Sequence, residues 1–414
     1  MRDGRNLRGG CEAGGAATWL RRAVVTLAAL FPFVLWPGIA HPFSEPKIVL
    51  LGLFVVIAGG LAAATGHRRL PELPRGFRVS LIAWPAAMVV SALLGKFVSP
   101  EALWLSLSSW GWFLLVLAVR PKAGHLAVAV AASCVVTAAI ALLQYLGLDP
   151  FRLFGWTTTA YESPRMRVLG TLGNPNFVAA LLVAGLPLSL HLGGLLARRS
   201  VHGLMVALQA AAVFATGSRA AVAGLMAVLV WLAGLGTFPR WRLAAAALIV
   251  IALLPLMPSR PLMETIEGRF YIWRVAAPHL LERPLFGFGP GAFEPKFIEW
   301  ETLYWLEGRG TADHRKFSGL QAHAHNDYLE IFVDSGLAAL LSFWLLLGSF
   351  FAFAFHKARH APGGLLTGAS AGVVALAAMA TVDFPFHRPT ELFLVWTLMA
   401  ILFLRAGVEP DGRS

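Results

Sequence analysis

The feature that most constrains this chain is a series of long apolar runs. The hydrocarbon core of a bilayer is roughly 30 Å thick, so a crossing helix needs about 20 mostly apolar residues. Such runs cover 20–39, 46–66, 78–97, 103–119, 125–147, 176–197, 201–217, 219–236, 241–257, 328–355, 365–384 and 390–406. A helix satisfies its own backbone hydrogen bonds, as lipid requires. The sequence therefore predicts an all-α polytopic membrane bundle of about twelve transmembrane helices.

Composition supports this class of protein. Only 14% of the residues are charged, 57% are hydrophobic, and the mean hydropathy is +0.68, whereas about a quarter of a soluble domain is charged. The first run follows Arg2, Arg5 and Arg8, as a cleaved signal peptide would, but the many later runs favour a retained span. We expect residues 1–414 to form a single integral membrane domain, with one outer loop insertion at 258–327.

The loops predict the orientation, because short cytoplasmic loops retain positive charge during insertion. With the N-terminus inside, the short outer loops hold only Lys47, Lys96, Arg219 and Arg388. The cytoplasmic set is far larger: Arg2, Arg5, Arg8, Arg21, Arg22, Arg68, Arg69, Arg75, Arg78, Arg120, Lys122, Arg198, Arg199, Arg240, Arg242, Lys357, Arg359, Arg405 and Arg413. Both termini are therefore expected in the cytoplasm, and the longer loops 148–175 and 258–327 outside.

The net charge of +12 does not indicate a nucleic-acid partner. The excess is spread over cytoplasmic edges, where the insertion rule already explains it. Cys11 falls in the inner tail and Cys134 inside a span, so the sequence predicts neither a disulfide nor a cysteine-based metal site.

Four polar clusters on the predicted outer face lack a topological explanation. They are SPRMRVLGTLGNPNF (163–177, with Arg165 and Arg167), TGSRAAVAG (216–224, with Arg219), EGRFYIWRVAAPHLLERPLFGFGPGAF (267–293, with Arg269 and Arg274) and QAHAHNDYLE (321–330, with His323, His325 and Asn326). Arg269 and Arg274 are expected near each other on one helix. These clusters are the candidates for chemistry.

Several of these residues also have a structural interpretation. Asn174 before Pro175 fits a helix N-cap, and Arg219 could reach lipid headgroups. The stretch FGFGPGAF is interpreted as a turn and not as a nucleotide loop, because no strand precedes it. Asp327 with Glu330 fits a capping pair. His323, His325 and Asp327 match an H-x-H-x-D metal spacing, but Tyr328 stands where the next histidine is expected, so no metal is predicted.

A histidine just before a helix start can act as a general base. The positive end of the helix dipole favours neutral imidazole, whereas Asp327 and Glu330 act in the opposite direction, so the net effect stays open. Arginine binds phosphate bidentately and stabilises charge on a departing diphosphate. Histidine and arginines at one membrane face suit a reaction in which a diphosphate leaves and a hydroxyl attacks.

Four motifs together resemble the O-antigen ligase superfamily, which includes O-antigen polymerases and protein O-oligosaccharyltransferases. They are GNPNF (173–177), TGSRA (216–220), GRFYIWRVA through ERPLFGFGPGAF (268–293) and HAHNDYLEIFVDSGLAAL (323–340). The similarity covers about 170–340 by motif, and the rest agrees as hydrophobic spans.

This resemblance implies inverting glycosyl transfer, without metal or other cofactor, at the periplasmic face of a bacterial inner membrane. The donor would be an undecaprenyl-diphosphate-linked glycan and the acceptor a hydroxyl, with lipid A-core as first choice over a second glycan or a protein. By the family's motifs His325 is the base, and Arg219 and Arg269 bind the diphosphate. Arg165, Arg167, Arg274, His323 and Asn326 are further substrate-binding candidates.

A transporter or lipid flippase is the alternative from another class. Such proteins place ionisable groups near the bilayer midplane and often show repeated halves. In this chain the ionisable residues within spans are few, chiefly His191, Asp334 and Glu391, and no internal repeat is evident. The distribution favours the enzyme.

Overall fold

The computed structural model describes residues 5–67, 70–155, 168–193, 199–257 and 262–407, and these ranges form helices and connecting loops without a strand. The predicted all-α class is confirmed. The helices are α1 (Arg5–Leu30), α2 (Glu45–Ala64), α3 (Arg75–Leu94), α4 (Pro100–Val119), α5 (Ala123–Tyr145), α6 (Pro175–Leu190), α7 (Arg199–Thr216), α8 (Arg219–Leu235), α9 (Arg240–Leu253), α10 (Leu262–Ala276), α11 (Phe293–Leu306), α12 (Asp327–His360), α13 (Gly364–Met379) and α14 (Pro389–Ala406).

Helix length and composition support a polytopic bundle. Within the described ranges, 6 helices are long and apolar enough to cross a membrane: α2, α3, α4, α5, α12 and α14. Helices α6, α8 and α13 are apolar but shorter. Each predicted apolar run overlaps a helix, while α10 and α11 lie in the loop predicted at 258–327. The full number of spans and their orientation stay predictions.

The bundle is built around α14, the most deeply buried of the six long helices. Trp396 of α14 packs against Phe113 of α4 and Trp84 of α3, with ring centroids 5.0 and 5.9 Å apart. Helices in lipid gain little from apolar burial and associate through close packing, often at small residues. At Gly372 of α13, an added Cβ would lie 2.3 Å from the carbonyl oxygen of Ala184 in α6.

Helix α12 is interrupted at Gly336, where φ is 72° and ψ is −173°. The glycine-rich loop 284–291 passes through this break. Phe288 N–H donates to the Val333 carbonyl at 2.9 Å, and Leu337 N–H donates to the Pro284 carbonyl at 2.8 Å. A broken helix is tolerated at membrane depth only where protein satisfies the freed groups, and the loop does so. The interpretation of the stretch FGFGPGAF as a turn is confirmed.

Asp334 fixes the same loop from the side of α12. Its carboxylate accepts hydrogen bonds from the backbone N–H groups of Gly291 at 2.8 Å and Phe293 at 2.9 Å. Since Phe293 begins α11, Asp334 joins the segment 262–326, which we call the outer segment after its predicted location, to the bundle. These two hydrogen bonds explain how the carboxylate of Asp334 can be buried.

Candidate active site

The segment 323–330 enters α12 through an unusual backbone turn. His325 has φ 49°, in the left-handed region that non-glycine residues rarely occupy. Asn326 is the N-cap, and its Oδ1 accepts from Leu329 N–H at 3.1 Å. The prediction that Asp327 caps the helix is therefore wrong by one residue, because Asp327 is already helical and its carboxylate has other partners.

The two acids of α12 hold the site together. Asp327 accepts from Phe386 N–H at 2.8 Å and pairs with His387 Nδ1 at 2.5 Å. Glu330 accepts from Ala324 N–H at 2.8 Å, two residues before the cap, and pairs with His323 Nδ1 at 2.7 Å. The acids therefore fix both the segment before α12 and the loop between α13 and α14.

His387 acts as a cation between these two acids. Burial lowers its pKa, but Glu330 and Asp327 outweigh burial and raise the pKa to about 10. A protonated His387 neutralises one of the buried negative charges at the start of α12. This residue anchors the 383–388 loop against the histidine segment.

Asp383 lies beside His325. Its Oδ1 is 3.8 Å from His325 Nδ1, and its Oδ2 accepts from Arg388 Nη2 at 3.0 Å. Burial raises the pKa of Asp383, but Arg388 and His325 outweigh burial and hold the pKa at about 2. Asp383 is therefore a carboxylate at neutral pH, shared between a histidine and an arginine.

Aromatic rings line the same region. Phe384 stacks on His323 with centroids 3.9 Å apart and meets His325 edge-on at 5.2 Å. The Arg388 guanidinium lies 4.2 Å from the ring centroid of Phe177 and 5.0 Å from that of Phe384. Because Phe177 belongs to the GNPNF motif, the first and fourth sequence clusters meet at the 383–388 loop.

Arg219 and Arg269 approach each other from two helices. Arg219 begins α8 and donates from Nη1 to Thr265 of α10 at 3.4 Å; Arg269 follows one turn later on α10. Burial lowers the pKa of Arg269, Asp383 raises it, and Arg219 lowers it further. Both Arg219 and Asp383 are therefore within electrostatic reach of Arg269, and Asp383 links this pair to His325.

The other predicted site residues have separate surroundings. Arg274 is exposed, and its Nη1 lies 3.3 Å from His314 Nε2, beside an open pocket of about 430 Å³. Its predicted proximity to Arg269 is wrong, because five helical residues turn through about 140°. Arg165 and Arg167 lie outside the described residues.

The three residues of the H-x-H-x-D spacing do not converge on one metal site. His323 contacts Glu330, His325 faces Asp383, and Asp327 contacts His387. In the described part of the chain, no group of three His, Cys, Asp or Glu side chains could hold a metal ion. The histidine spacing instead serves a network of paired side chains.

Sequence reasoning missed the 383–388 loop. The loop reaches the histidine segment or its carboxylates through Asp383, Phe384 and His387. Arg388 joins the site through Asp383; in the sequence it stands out only as a cation of a short predicted outer loop. The available signal was the density of polar residues in DFPFHRPTE, 383–391, between two apolar runs. Charged groups this close together inside a weakly charged membrane chain indicate a site.

A model of the O-antigen ligase family matches residues 204–344. The match includes the TGSRA motif, α10 with Arg269, the glycine-rich loop and the histidine segment, and it confirms the resemblance to the O-antigen ligase superfamily. GNPNF and the 383–388 loop lie outside it. No curated protein matches the chain.

Proposed function

We propose that this chain, whose residues 204–344 match the O-antigen ligase family, transfers a glycan from an undecaprenyl-diphosphate carrier to an acceptor hydroxyl. The match to this family supports membrane glycosyl transfer of the ligase or polymerase type. The observation that carries the proposal is the succession of side chains Arg219, Arg269, Asp383 and His325 at one end of the bundle.

His325 is proposed as the general base. With Asp383 facing Nδ1, a proton on that nitrogen leaves the Nε2 lone pair to accept the acceptor's proton. Asp383 remains an anion and stabilises the imidazolium that forms. His323 and Asn326, tied to Glu330 and to the start of α12, are proposed to position this segment against the substrate.

Arg219 and Arg269 are proposed to bind the diphosphate of the donor. The acceptor oxygen attacks the anomeric carbon and loses its proton to His325, while the carbon–oxygen bond to the diphosphate breaks and its electron pair stays on the leaving group. Two guanidiniums stabilise the charge that grows there. This displacement inverts the anomeric centre and needs neither nucleotide nor metal. Arg274, Arg165 and Arg167 remain proposed contacts to more distant parts of the substrates.

The preferred acceptor is lipid A-core, with the active site facing the periplasm of a bacterial inner membrane. A second lipid-linked glycan, or a protein serine or threonine, would use the same base and diphosphate ligands. Transport has less support. Asp334 is bound by backbone donors, Glu391 lies in the first turn of α14 at the same end of the bundle as the proposed site, and His191 lies at the C-terminal end of α6, away from that site.

The decisive experiment reconstitutes the purified chain in vesicles with a labelled undecaprenyl-diphosphate-linked glycan and offers lipid A-core, a lipid-linked repeat or a serine/threonine peptide. We expect glycan transfer to lipid A-core and free undecaprenyl diphosphate as the second product. Transbilayer movement of the labelled donor without any transfer would instead establish a flippase.

A further inference from the structure

A small pocket lies next to Arg388. Three segments line it: the turn before α2, the GNPNF turn and the start of α14. The volume is about 200 Å³, and the lining includes His41, Phe43, Ser44, Gly173, Phe177, Arg388, Thr390 and Glu391. We call this cavity the Arg388 pocket.

A buried lysine holds two walls of the Arg388 pocket in place. Lys47 is fully buried, and its Nζ donates to the carbonyl oxygens of Phe43 at 2.6 Å and Thr171 at 3.1 Å. Phe43 in turn lies against Gly173, where an added Cβ would come within 2.4 Å of the ring. The turn before α2 and the GNPNF turn are therefore fixed relative to each other, so the pocket is preformed.

Two buried polar side chains of the pocket have unused hydrogen-bonding atoms. Arg388 is 2% exposed and Glu391 is 1% exposed. Among the described residues, neither Nε nor Nη1 of Arg388 nor Oε1 of Glu391 makes a hydrogen bond, although Nε and Oε1 lie 3.4 Å apart. Leaving such atoms unpaired is costly. They fit a ligand that offers an acceptor and a donor side by side, which is the chemistry of sugar hydroxyls.

The size and lining of the pocket also fit one sugar ring. Its volume of about 200 Å³ exceeds the roughly 30 Å³ that a single water occupies in the liquid. It is smaller than the roughly 300 to 1,000 Å³ of sites for drug-sized ligands. Phe43 and Phe177 contribute apolar faces for ring carbons, beside the polar atoms of Arg388 and Glu391.

The position of the pocket favours the acceptor over the donor. Asp383 presents one oxygen to His325 and the other to Arg388. Arg219 and Arg269, in contrast, are the proposed ligands of the diphosphate. In an inverting displacement the nucleophile attacks from the side opposite the leaving group. We propose that the Arg388 pocket binds a sugar ring of the acceptor. This inference rests on the proposed glycosyl transfer. It implies that the acceptor is a glycan and not a protein.

A pocket-filling variant tests the assignment. Ser44 lines the pocket, and its side chain makes no capping hydrogen bond at the start of α2. In vesicles with the labelled donor and lipid A-core, we expect Ser44→Phe to raise the KM for acceptor by about tenfold or more, with the KM for donor unchanged. Ser200→Phe, the same change at an exposed position at the start of α7, is the matched control.

Glu391→Gln provides a second variant that keeps the size of the side chain. It replaces one carboxylate oxygen by a donor, so we expect a rise of about tenfold in the KM for acceptor. A merely structural role would lower the thermal midpoint and leave the KM for acceptor as it is, which would contradict the proposal.

Direct binding separates this proposal from the transfer reaction. Saturation-transfer NMR with a panel of methyl hexopyranosides should show at least one sugar bound to the His325→Ala protein and none to the same protein with Ser44→Phe. If wild type transfers glycan but Ser44→Phe behaves as Ser200→Phe, the pocket assignment fails and the function stands. Transfer to a serine/threonine peptide, unaffected by Ser44→Phe, would also overturn it, whereas wild type inactive with every acceptor would refute the function itself.

Discussion

At the residue scale, the proposed site depends on the carboxylate of Asp383, which faces two other side chains. Asp383 faces Nδ1 of His325 with one oxygen and binds Arg388 with the other. The proposed base is therefore oriented by a residue from a different loop, 58 positions further along the chain by the difference of the two residue numbers. Such a positioning contact affects the rate through the base and does not itself touch substrate.

We predict that His325→Ala lowers transfer by about 10²- to 10⁴-fold, the usual contribution of a general base. The measurement is the rate of glycan transfer in vesicles, with the thermal midpoint in detergent as the check on folding. Activity close to wild type in a folded variant would remove His325 from the mechanism.

Asp383→Asn should also reduce kcat, because the amide keeps the shape of the side chain and loses the charge that supports the imidazolium. We expect a loss of roughly 10- to 100-fold and partial rescue by Asp383→Glu. Asp313→Asn, on the exposed outer segment, is the control and should keep wild-type kcat.

Replacing either diphosphate-binding candidate by lysine keeps the charge and removes bidentate binding. Arg219→Lys and Arg269→Lys are therefore expected to lower kcat/KM for the donor by about tenfold or more, whereas Arg274→Lys, which lies beside His314, should have a smaller effect. The assay is donor-dependent transfer at saturating acceptor. Equal effects of all three substitutions would refute the assignment.

His387 makes the stability of the fold depend on pH. An unfolded histidine titrates near 6.5, whereas the acids around His387, opposed by burial, raise its folded pKa to about 10. Its contribution to stability is complete below about pH 6.5 and is lost as the pH rises toward 10. Thermal midpoints between pH 6 and 10 should fall more steeply for wild type than for His387→Gln, and parallel curves would contradict this.

At the element scale, the break in α12 determines where the outer segment attaches. Gly336 has a positive φ, and an added Cβ would lie 2.4 Å from the carbonyl of Leu285. The glycine-rich loop replaces the missing helical hydrogen bonds and brings α11 against Asp334. The same helix therefore begins at the proposed base and carries the anchor for the segment that holds Arg269.

We predict that Gly336→Ala destabilises the protein by about 1 to 3 kcal/mol or more, since it adds backbone strain and a clash. Gly348→Ala in the same helix is the matched control, because nothing lies within 4 Å of an added Cβ there. Thermal unfolding in detergent should show a lower midpoint for Gly336→Ala alone. Similar midpoints would mean that the break is not required.

At the scale of the whole molecule, the proposed site and the basic loops lie at opposite ends of the bundle. Helices α6, α8, α12 and α14 begin at the site, and α4, α12 and α14 end near Arg120, His360 and Arg405. The positive-inside rule predicts that the second end lies in the cytoplasm.

Cysteine labelling tests this orientation. In a chain without Cys11 and Cys134, a membrane-impermeant maleimide added to intact spheroplasts should label Glu307→Cys in the outer segment. It should label Ala361→Cys only after lysis. Both positions are exposed, so a difference in labelling would not come from burial. The reverse labelling pattern would show that the topology is opposite to the predicted one.

The sequence by itself determined the helical membrane class and the four polar clusters, because a bilayer imposes length and apolarity on each segment separately. It also singled out His325, Arg219 and Arg269, whose residue types suit the proposed chemistry. Only the tertiary structure decided that Asp383 and Arg388 belong with them, and that Asp383 lies between His325 and Arg388. Those facts depend on packing between segments far apart in the chain, which no local pattern encodes.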